Sequence, residues 1–185
     1  MVWAYVGVYI GGSGKAGFYN SQEIGLARAL RKLGYVCFVF FPYRGSEIAE
    51  ECVEEGVTVV HVPAKVIGVN ARYDWRILKR YHVDVVQVGC DNRIFAAGAI
   101  RYCEKNGIPC YAYSGILSSD SRLLFKRTIM RVLSARTLSA MRRHKNFVKT
   151  RHIAETARRY GINDVEVAPV GLDLTVIPDD KSSLL

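Results

Sequence analysis

Runs of apolar, β-branched and aromatic residues alternate along this chain with segments in which apolar residues recur at helical spacing. The runs predict strands at Val2–Ile10, Tyr35–Phe41, Val57–Val62, Val83–Val88, Ile108–Tyr113, Asn146–Lys149 and Val165–Pro169. The helical segments predict helices at Ser21–Leu33, Glu47–Glu55, Tyr73–Tyr81, Phe95–Lys105 and Ile153–Tyr160. Strands that alternate with helices over short connections predict an α/β fold with a doubly wound, mainly parallel sheet and helices on both faces. We therefore expect a single Rossmann-like domain.

In such sheets, ligands bind beyond the carboxyl ends of the strands. The loops that follow the predicted strands are therefore where we expect a functional site. They are Gly11–Gly17, Pro42–Gly45, Gly89–Arg93, Ser114–Asp120 and Thr150–Arg151.

The composition favours a folded soluble domain. Half of the 185 residues are apolar, and no apolar run approaches the roughly 20 residues that span a bilayer. The first residues lack the basic region and small-residue cleavage site of a signal peptide. The five cysteines are scattered and odd in number, which suits a reducing cytoplasm, and neither they nor the four histidines have metal-ligand spacing. We expect no metal site.

A glycine-rich loop follows the first strand, and its members are Gly11, Gly12, Gly14, Lys15 and Gly17. Loops of this kind hold phosphate, because backbone N–H groups can approach an anion where no side chain intervenes. A Walker A loop would need glycine at position 9 and a hydroxyl residue at position 16. The chain has Tyr9 and Ala16 there, which excludes that class.

The spacing Gly12-x-Gly14-x-x-Gly17 also matches the dinucleotide-binding pattern GxGxxG. That pattern expects an acidic residue at the end of the second strand, where it bonds the ribose. Pro42–Arg44 contains none, and Arg44 would at best suit a 2′-phosphate. An NAD(P)-binding oxidoreductase domain stays open as an alternative, and so does a glycine turn that holds no ligand.

Landmarks along nearly the whole chain point to a third interpretation. They are Leu26–Leu30 (LARAL) with Gly34, His82–Gln87 (HVDVVQ), Ile108–Pro109 with Tyr113–Gly115, Phe147–Thr150 with Ala154–Glu155, and Glu166–Asp173 (EVAPVGLD). In this order they resemble the amino-terminal half of glycogen-synthase-like retaining glycosyltransferases of the GT-B fold, family 4. The chain departs from the family pattern at Tyr35, Gln87 and Ser114, where relatives often have His, and at Val170, where they have Asn.

The resemblance implies an acceptor-binding, Rossmann-like domain at residues 1–173, with 174–185 starting the linker to a second domain. In that family the second domain binds most of the nucleotide-sugar donor and carries a pair of glutamates, which this chain lacks. The implied activity is a nucleotide-sugar-dependent hexosyl transfer in glycan or polysaccharide biosynthesis, inactive without the carboxy-terminal half in the same or a separate chain. No cofactor is implied besides the sugar nucleotide. A non-catalytic Rossmann-like module that binds a carbohydrate or a partner is a further alternative.

The resemblance also suggests site residues, although it assigns no catalytic ones. Lys15-Ala16-Gly17 is similar to the K-x-G-G of glycogen synthases, which lies against the donor phosphates. The loop residues expected on that side are Gly12, Gly14, Lys15 and Gly17. The polar residues expected around the acceptor cleft are Asp91, Asn92, Ser114 and Asp120. Each of these four is equally well suited to capping a turn.

The formal charge of +9 is concentrated in one segment. Ser121–Ala154 contains ten Lys and Arg residues and no acidic residue, and we expect it to be helical in pieces. The basic surface is expected to include Lys126, Arg127, Arg131, Arg142 and Arg143. This surface fits an anionic glycan or a lipid-linked acceptor. It also fits an anionic membrane, to whose inner face the domain would bind peripherally. Nucleic acid is disfavoured, because aromatic residues are scarce there and no recognition motif is present.

Overall fold

The computed structural model describes residues 1–10, 22–91, 94–117 and 124–171, except the side chains of residues 124–127, 130 and 131. The glycine loop, Asn92, Asp120 and the tail at 174–185 lie outside the described residues. The strands are β1 (Val2–Val6), β2 (Val36–Tyr43), β3 (Ala49–Glu54), β4 (Val57–Pro63), β5 (Lys65–Ile67), β6 (Asn70–Arg72), β7 (Val85–Gly89), β8 (Cys110–Ser114), β9 (Asn146–Val148) and β10 (Val165–Val167). The helices are α1 (Gln22–Lys32), α2 (Ile77–Arg80), α3 (Ala96–Asn106), α4 (Leu124–Met141) and α5 (Arg151–Arg159).

Eight strands form one sheet in the order β10-β9-β8-β7-β1-β2-β4-β3. All neighbours pair in parallel except β3, which pairs antiparallel with β4 at the edge. The chain first builds outward from β1 through β2 and β4, then crosses over and builds in the other direction from β7 to β10. The predicted α/β class with a doubly wound, mainly parallel sheet is confirmed.

The two faces of the sheet are covered unequally. On one face, residues of α2, α3, α4 and α5 pack with those of the strands into a large core that includes Leu78, Ile100, Met141 and Ala157. On the other face, a smaller core forms around Ala27 of α1. Since α1 lies over β1, β2 and β4, no helix among the described residues covers this face of β7–β10, which we call the open face.

One predicted helix is wrong, because Glu47–Glu55 does not form a helix. Residues 49–54 are the edge strand β3, joined to β4 by a tight turn at Glu55 and Gly56. Gly56 has φ +82°, a left-handed conformation that favours glycine, so it reverses the chain instead of ending a helix. The charges of β3 are exposed, as is usual on an edge strand.

Two other regions differ from the sequence-based expectation. The helix predicted at Tyr73–Tyr81 is a single turn, α2. It is preceded by a local turn, in which the Asp74 carboxylate accepts a hydrogen bond from the Arg76 backbone N–H (3.0 Å). The basic segment, expected to be helical in pieces, contains one continuous helix of 18 residues, α4.

A small hairpin of β5 and β6 was not predicted. It holds the segment that leaves β1, since Tyr9 bridges Asn70 and the Ile10 N–H donates to the Val69 carbonyl (2.9 Å). The predicted first strand, Val2–Ile10, therefore ends in the main sheet at Val6 and continues against this hairpin.

Candidate functional site

The carboxyl edge of the sheet near β1 and β7 is the candidate site. The direction of strand addition reverses between these two neighbours, so the connections that leave them diverge and open a crevice. Four of the five predicted loops border this edge in the described structure, at least in part. The fifth, the glycine loop between β1 and α1, lies outside the described residues.

Asp91 joins two of these loops. It follows β7, and its Oδ1 accepts hydrogen bonds from the backbone N–H groups of Gly115 and Ile116 (3.1 Å for the second), which follow β8. The sequence placed Asp91 and Ser114 near one cleft, and the structure brings their loops together. Asp91 therefore has a positioning role at the rim.

Ser114, another predicted acceptor contact, is fully buried. Its side chain points away from the open face, as the alternation of β8 requires, and its Oγ has no hydrogen-bond partner among the described residues. A buried hydroxyl without a partner costs free energy. The structure thus places Ser114 beneath the rim of the cleft and not at its surface.

Tyr5 and Glu23 contribute to this edge, although sequence reasoning missed both. Glu23 lies in the first turn of α1, where its charge acts on the Tyr5 hydroxyl. Burial, together with the negative charges of Glu23 and Asp91, raises the pKa of Tyr5 well above its usual value. The phenol consequently stays neutral at physiological pH.

Gly89, the last residue of β7, makes room for that phenol. A Cβ on Gly89 would lie 2.5 Å from the Tyr5 Oη, well inside van der Waals contact. The glycine is needed here for close approach, and it brings the Tyr5 ring to the point where β1 and β7 separate.

Lys149 provides a positive charge at the same edge. It follows β9, its stem packs over Gly115, where a Cβ would be 2.7 Å from the Lys149 Cδ, and its Nζ lies 6.0 Å from the centre of the Tyr113 ring. Thr150 caps α5 beside it by accepting a hydrogen bond from the Ile153 N–H (3.3 Å). Asp91, which follows β7, and Lys149, which follows β9, thus both contact Gly115 at the end of β8.

A groove of about 810 Å³ extends from this edge over the open face of the sheet. Its floor is formed by Gln87, Tyr111, Tyr113 and Phe147, and α1 and the segment 168–171 form its walls. A relay of hydrogen bonds fixes the floor: Trp3 Nε1 donates to the Tyr111 hydroxyl (2.9 Å), which donates to Gln87 Oε1 (3.0 Å). Such a surface of aromatic rings with polar edges suits a flat, hydroxylated ligand or a packed segment of protein.

Arg142 and Arg143, two predicted members of the basic surface, are engaged within the domain. Arg142 donates to the Tyr160 carbonyl (2.8 Å), and Arg143 forms an ion pair with Glu104 (3.0 Å). Lys126, Arg127 and Arg131 lie on α4, but their side chains are not among those that the structure describes. On the described part of α4, Ile129, Val132 and Leu133 are exposed.

No group of three or more His, Cys, Asp or Glu residues within the described ranges could hold a metal ion. In the same part of the chain, no helix is both long enough and apolar enough to cross a bilayer.

Comparison with known proteins supplied no family. A scan against protein-family models found no matching family, and a search of curated proteins found no significant match.

Proposed function

We propose that this chain is the acceptor-binding half of a nucleotide-sugar-dependent retaining glycosyltransferase that acts in glycan or polysaccharide biosynthesis. The observation that supports this most is the place of the landmark segments in the fold. The segments HVDVVQ, Tyr113–Gly115 and Phe147–Thr150 form or follow β7, β8 and β9, and they end at one edge of the sheet. The segments that resemble the glycosyltransferase family therefore lie together at the edge of the sheet where we expect a ligand.

The chemistry at that edge fits an acceptor site. A retaining transfer needs the acceptor hydroxyl held in line with the donor while charge builds up on the leaving diphosphate. The carboxylates of Glu23 and Asp91 can accept hydrogen bonds from sugar hydroxyls, and Lys149 offers a cation to an anionic group. The ring of Tyr113, at the top of the groove, offers a face for a sugar ring.

The open face of β7–β10 supports the proposal of a second domain. Parallel sheets usually have both faces covered, whereas the groove leaves Tyr111 and Phe147 only partly buried. The donor site and the catalytic pair of glutamates would come from that domain, in this chain or in a separate one.

Titration of the full chain tests the proposal. We expect oligosaccharides on a glycan array to bind, and amide signals near Asp91 and Lys149 to shift in NMR spectra when the selected saccharide is added. Asp91→Asn and Lys149→Met should weaken binding about tenfold or more, which corresponds to loss of one charge-assisted hydrogen bond. Glu55→Gln, a strongly exposed position at the opposite edge, is the matched control and should leave binding unchanged.

The same titration decides between the alternatives. Tight binding of NADPH by this chain alone would contradict the transferase proposal and favour an oxidoreductase domain. Saccharide binding that persists while a supplied donor-binding domain restores no transfer would favour a non-catalytic carbohydrate-binding module.

We also propose that α4 touches an anionic membrane surface, which would place the enzyme at the inner face of the membrane. The exposed apolar side chains of Ile129, Val132 and Leu133 support this, since the exposed fraction of Val132 is 69%. Apolar side chains flanked by basic residues are typical of helices that lie in a lipid interface. Flotation with vesicles rich in phosphatidylserine should show binding that salt weakens, and Val132→Asp should abolish it. Absence of binding at low salt would refute this part.

A further inference from the structure

A cluster of two cysteines, a histidine and a glutamate lies at the amino edge of the sheet, opposite the candidate site. Cys110 is the first residue of β8, and Cys103 and Glu104 lie near the end of α3. His144 lies in the connection between α4 and β9. Three separate elements thus place sulfur, imidazole and carboxylate together, at an edge that the proposed transferase does not use.

The side chains form a chain of contacts. Cys110 Sγ lies 3.6 Å from His144 Nδ1, and His144 Nε2 lies 2.9 Å from Glu104 Oε1. Arg143 holds the same carboxylate from the other side, with its Nε 3.0 Å from Oε1. Because one ring nitrogen faces the carboxylate, the imidazole is oriented with its other nitrogen toward the sulfur.

The turn that carries His144 is itself held in place. Asn146, fully buried, donates from its Nδ2 to the carbonyls of Met141 (2.9 Å) and His144 (2.6 Å). These bonds tie the end of α4 to the beginning of β9. The position of the imidazole is therefore set by buried contacts.

The two sulfurs differ in environment. Cys103 is fully buried, whereas Cys110 is partly exposed and can meet a small reagent. A hydrogen bond from the Cys103 thiol, followed by the charge of His144, lowers the pKa of Cys110, although burial opposes this. Donation of that bond and burial raise the pKa of Cys103. The two residues are also neighbours in the fold, since Cys110 packs against the buried cluster that contains Cys103, and the Ile108 N–H donates to the Cys103 carbonyl (3.0 Å) where α3 leads into β8.

Cys90, Lys145 and Glu104 are further titratable residues around this cluster in the described part of the chain. Cys90 on β7 is buried, and burial raises the pKa of its thiol, so it stays neutral beside Cys110. Lys145, the next residue after His144, forms ion pairs with Asp164 and Glu166 (3.0 Å each) on the far side of the turn. The pKa of Glu104 is lowered by its bonds to His144 and Arg143, so it is ionised at neutral pH.

We propose that Cys110 is a peroxide-reactive thiol, that His144, oriented by Glu104, is its base, and that Cys103 is the thiol that resolves the oxidised form into a disulfide. The chemical class of oxidant is a hydroperoxide, and this site is independent of the proposed transferase site.

Both steps balance in atoms and electrons. The Cys110 thiolate attacks one peroxide oxygen, so that an S–O bond forms and the O–O bond breaks. The leaving oxygen takes the proton that His144 had accepted from the thiol, and the peroxide is reduced by two electrons to water, or to an alcohol, while Cys110 becomes a sulfenic acid. The Cys103 sulfur then attacks Cys110, an S–S bond forms, the S–O bond breaks, and the hydroxide leaves as water with the proton from Cys103.

Alkylation of the full chain tests the first step, with residue rates read by mass spectrometry of peptides. At pH 7, iodoacetamide should modify Cys110 about tenfold faster than Cys52, an exposed cysteine whose thiol donates to the Glu54 carbonyl (3.5 Å). His144→Gln should move the midpoint of the rate–pH profile of Cys110 upward and bring its rate at pH 7 close to that of Cys52. His152→Gln, an exposed histidine on α5, is the matched control and should change neither.

Addition of hydrogen peroxide tests the second step. We expect the intact mass to fall by two hydrogens and a peptide pair linked through Cys103 and Cys110. Cys103→Ser should keep the alkylation rate of Cys110 high but accumulate a sulfenic acid that dimedone traps. Equal alkylation of Cys110 and Cys52 in the native chain would overturn the proposal, and so would failure of peroxide to link the two cysteines. Unchanged circular dichroism of each variant excludes misfolding as the cause.

Discussion

The two faces of the central sheet belong to the same strands, but they differ in how far helices cover them. The face under α2–α5 buries apolar side chains, mostly aliphatic or small, and Phe40, Val86 and Ala112 on it are fully buried. The other face is closed by α1 over β1, β2 and β4 only, and beyond them it presents Gln87, Tyr111, Tyr113 and Phe147 to a groove. The difference teaches that the open face is made of side chains that tolerate water at one end and packing at the other.

Truncation of one phenylalanine on each face should give the largest contrast. Phe40 is fully buried against the ring of Tyr81, with 5.3 Å between ring centres, whereas Phe147 is partly exposed in the groove. We expect Phe40→Ala to lower the free energy of unfolding by about 3–5 kcal/mol and Phe147→Ala by about 1–2 kcal/mol. Urea unfolding followed by circular dichroism measures both. Equal losses would mean that the groove is covered in solution.

The Tyr5–Gly89 contact, where the two parts of the open face meet, should give the next largest effect. Gly89→Ala places a methyl group on the Tyr5 hydroxyl, and we expect a loss of about 1–3 kcal/mol in unfolding free energy. In a Tyr5→Phe background the obstructing oxygen is absent, so the same substitution should cost less. A double-mutant cycle measures this coupling, and strict additivity would contradict the close contact.

Alkaline pH should weaken the helix-covered face through Tyr81. Burial and the hydrogen bond to Glu50 raise the pKa of Tyr81 to about 12. The unfolded chain ionises this phenol near pH 10 and the folded chain does not, so the stabilisation is present below pH 10 and is lost as pH rises toward 12. We expect the difference in stability between the native chain and Tyr81→Phe to shrink by about 1–2 kcal/mol over that range, after allowance for solvent screening. Urea midpoints at several pH values measure it, and a constant difference would contradict it.

Two buried thiols should report the smallest difference between the faces. Cys37 lies under α1, and Cys90 lies in the core under the other helices. Burial raises the pKa of Cys37 to about 11 and also raises that of Cys90, so labelling of either at pH 8 requires local opening. We expect Cys37 to label about tenfold faster, because one helix opens more readily than several. Dithionitrobenzoate kinetics in a Cys52→Ser, Cys110→Ser background, with Cys103 as a buried internal control, measure this. Faster labelling of Cys90 would reverse the comparison.

The covering of the faces could be predicted for some strands and not for others. Residues 36–43, VCFVFFPY, are almost continuously apolar, which indicates burial on both faces, and β2 lies between α1 and the helix-covered core. Residues 110–114, CYAYS, alternate small residues with tyrosines, and this period of two indicates faces of different character. The alternation predicts a face of tyrosines, which is the face that lines the groove, whereas an apolar run alone predicts a strand without distinguishing its faces.

The error at β3 has a physical cause. Ala49–Glu54 is rich in residues that favour helices, and Gly56 is typical of a helix end. The antiparallel pairing with β4 outweighs these local preferences. Because β3 is short, exposed and acidic, its sequence lacks the alternation of apolar and polar residues that would predict a strand. Local propensity is a weak guide where pairing decides.

The candidate site was only partly predictable for a similar reason. Asp91 could be found because it follows a clear strand, in a loop where ligands of such folds are expected. Tyr5 and Glu23 carry no motif, and the landmark segment that contains Lys149 assigned it no role. Only the strand order places β1, β7 and β9 so that these residues lie along one edge of the sheet. Glu23 alone had a local signal, as an acidic residue in the first turn of a helix behind the glycine loop.

The sequence by itself determined the class of the fold, most helices and strands, and the edge of the sheet where a ligand is expected. These follow from periodicity and turn chemistry, which are local properties of the chain. Only the tertiary structure decided the strand order, the open face and the meeting of Cys110 with His144 and Glu104. Contacts between residues tens of positions apart depend on which strands pair and on which faces the helices cover. Neither property can be predicted from a short stretch of sequence.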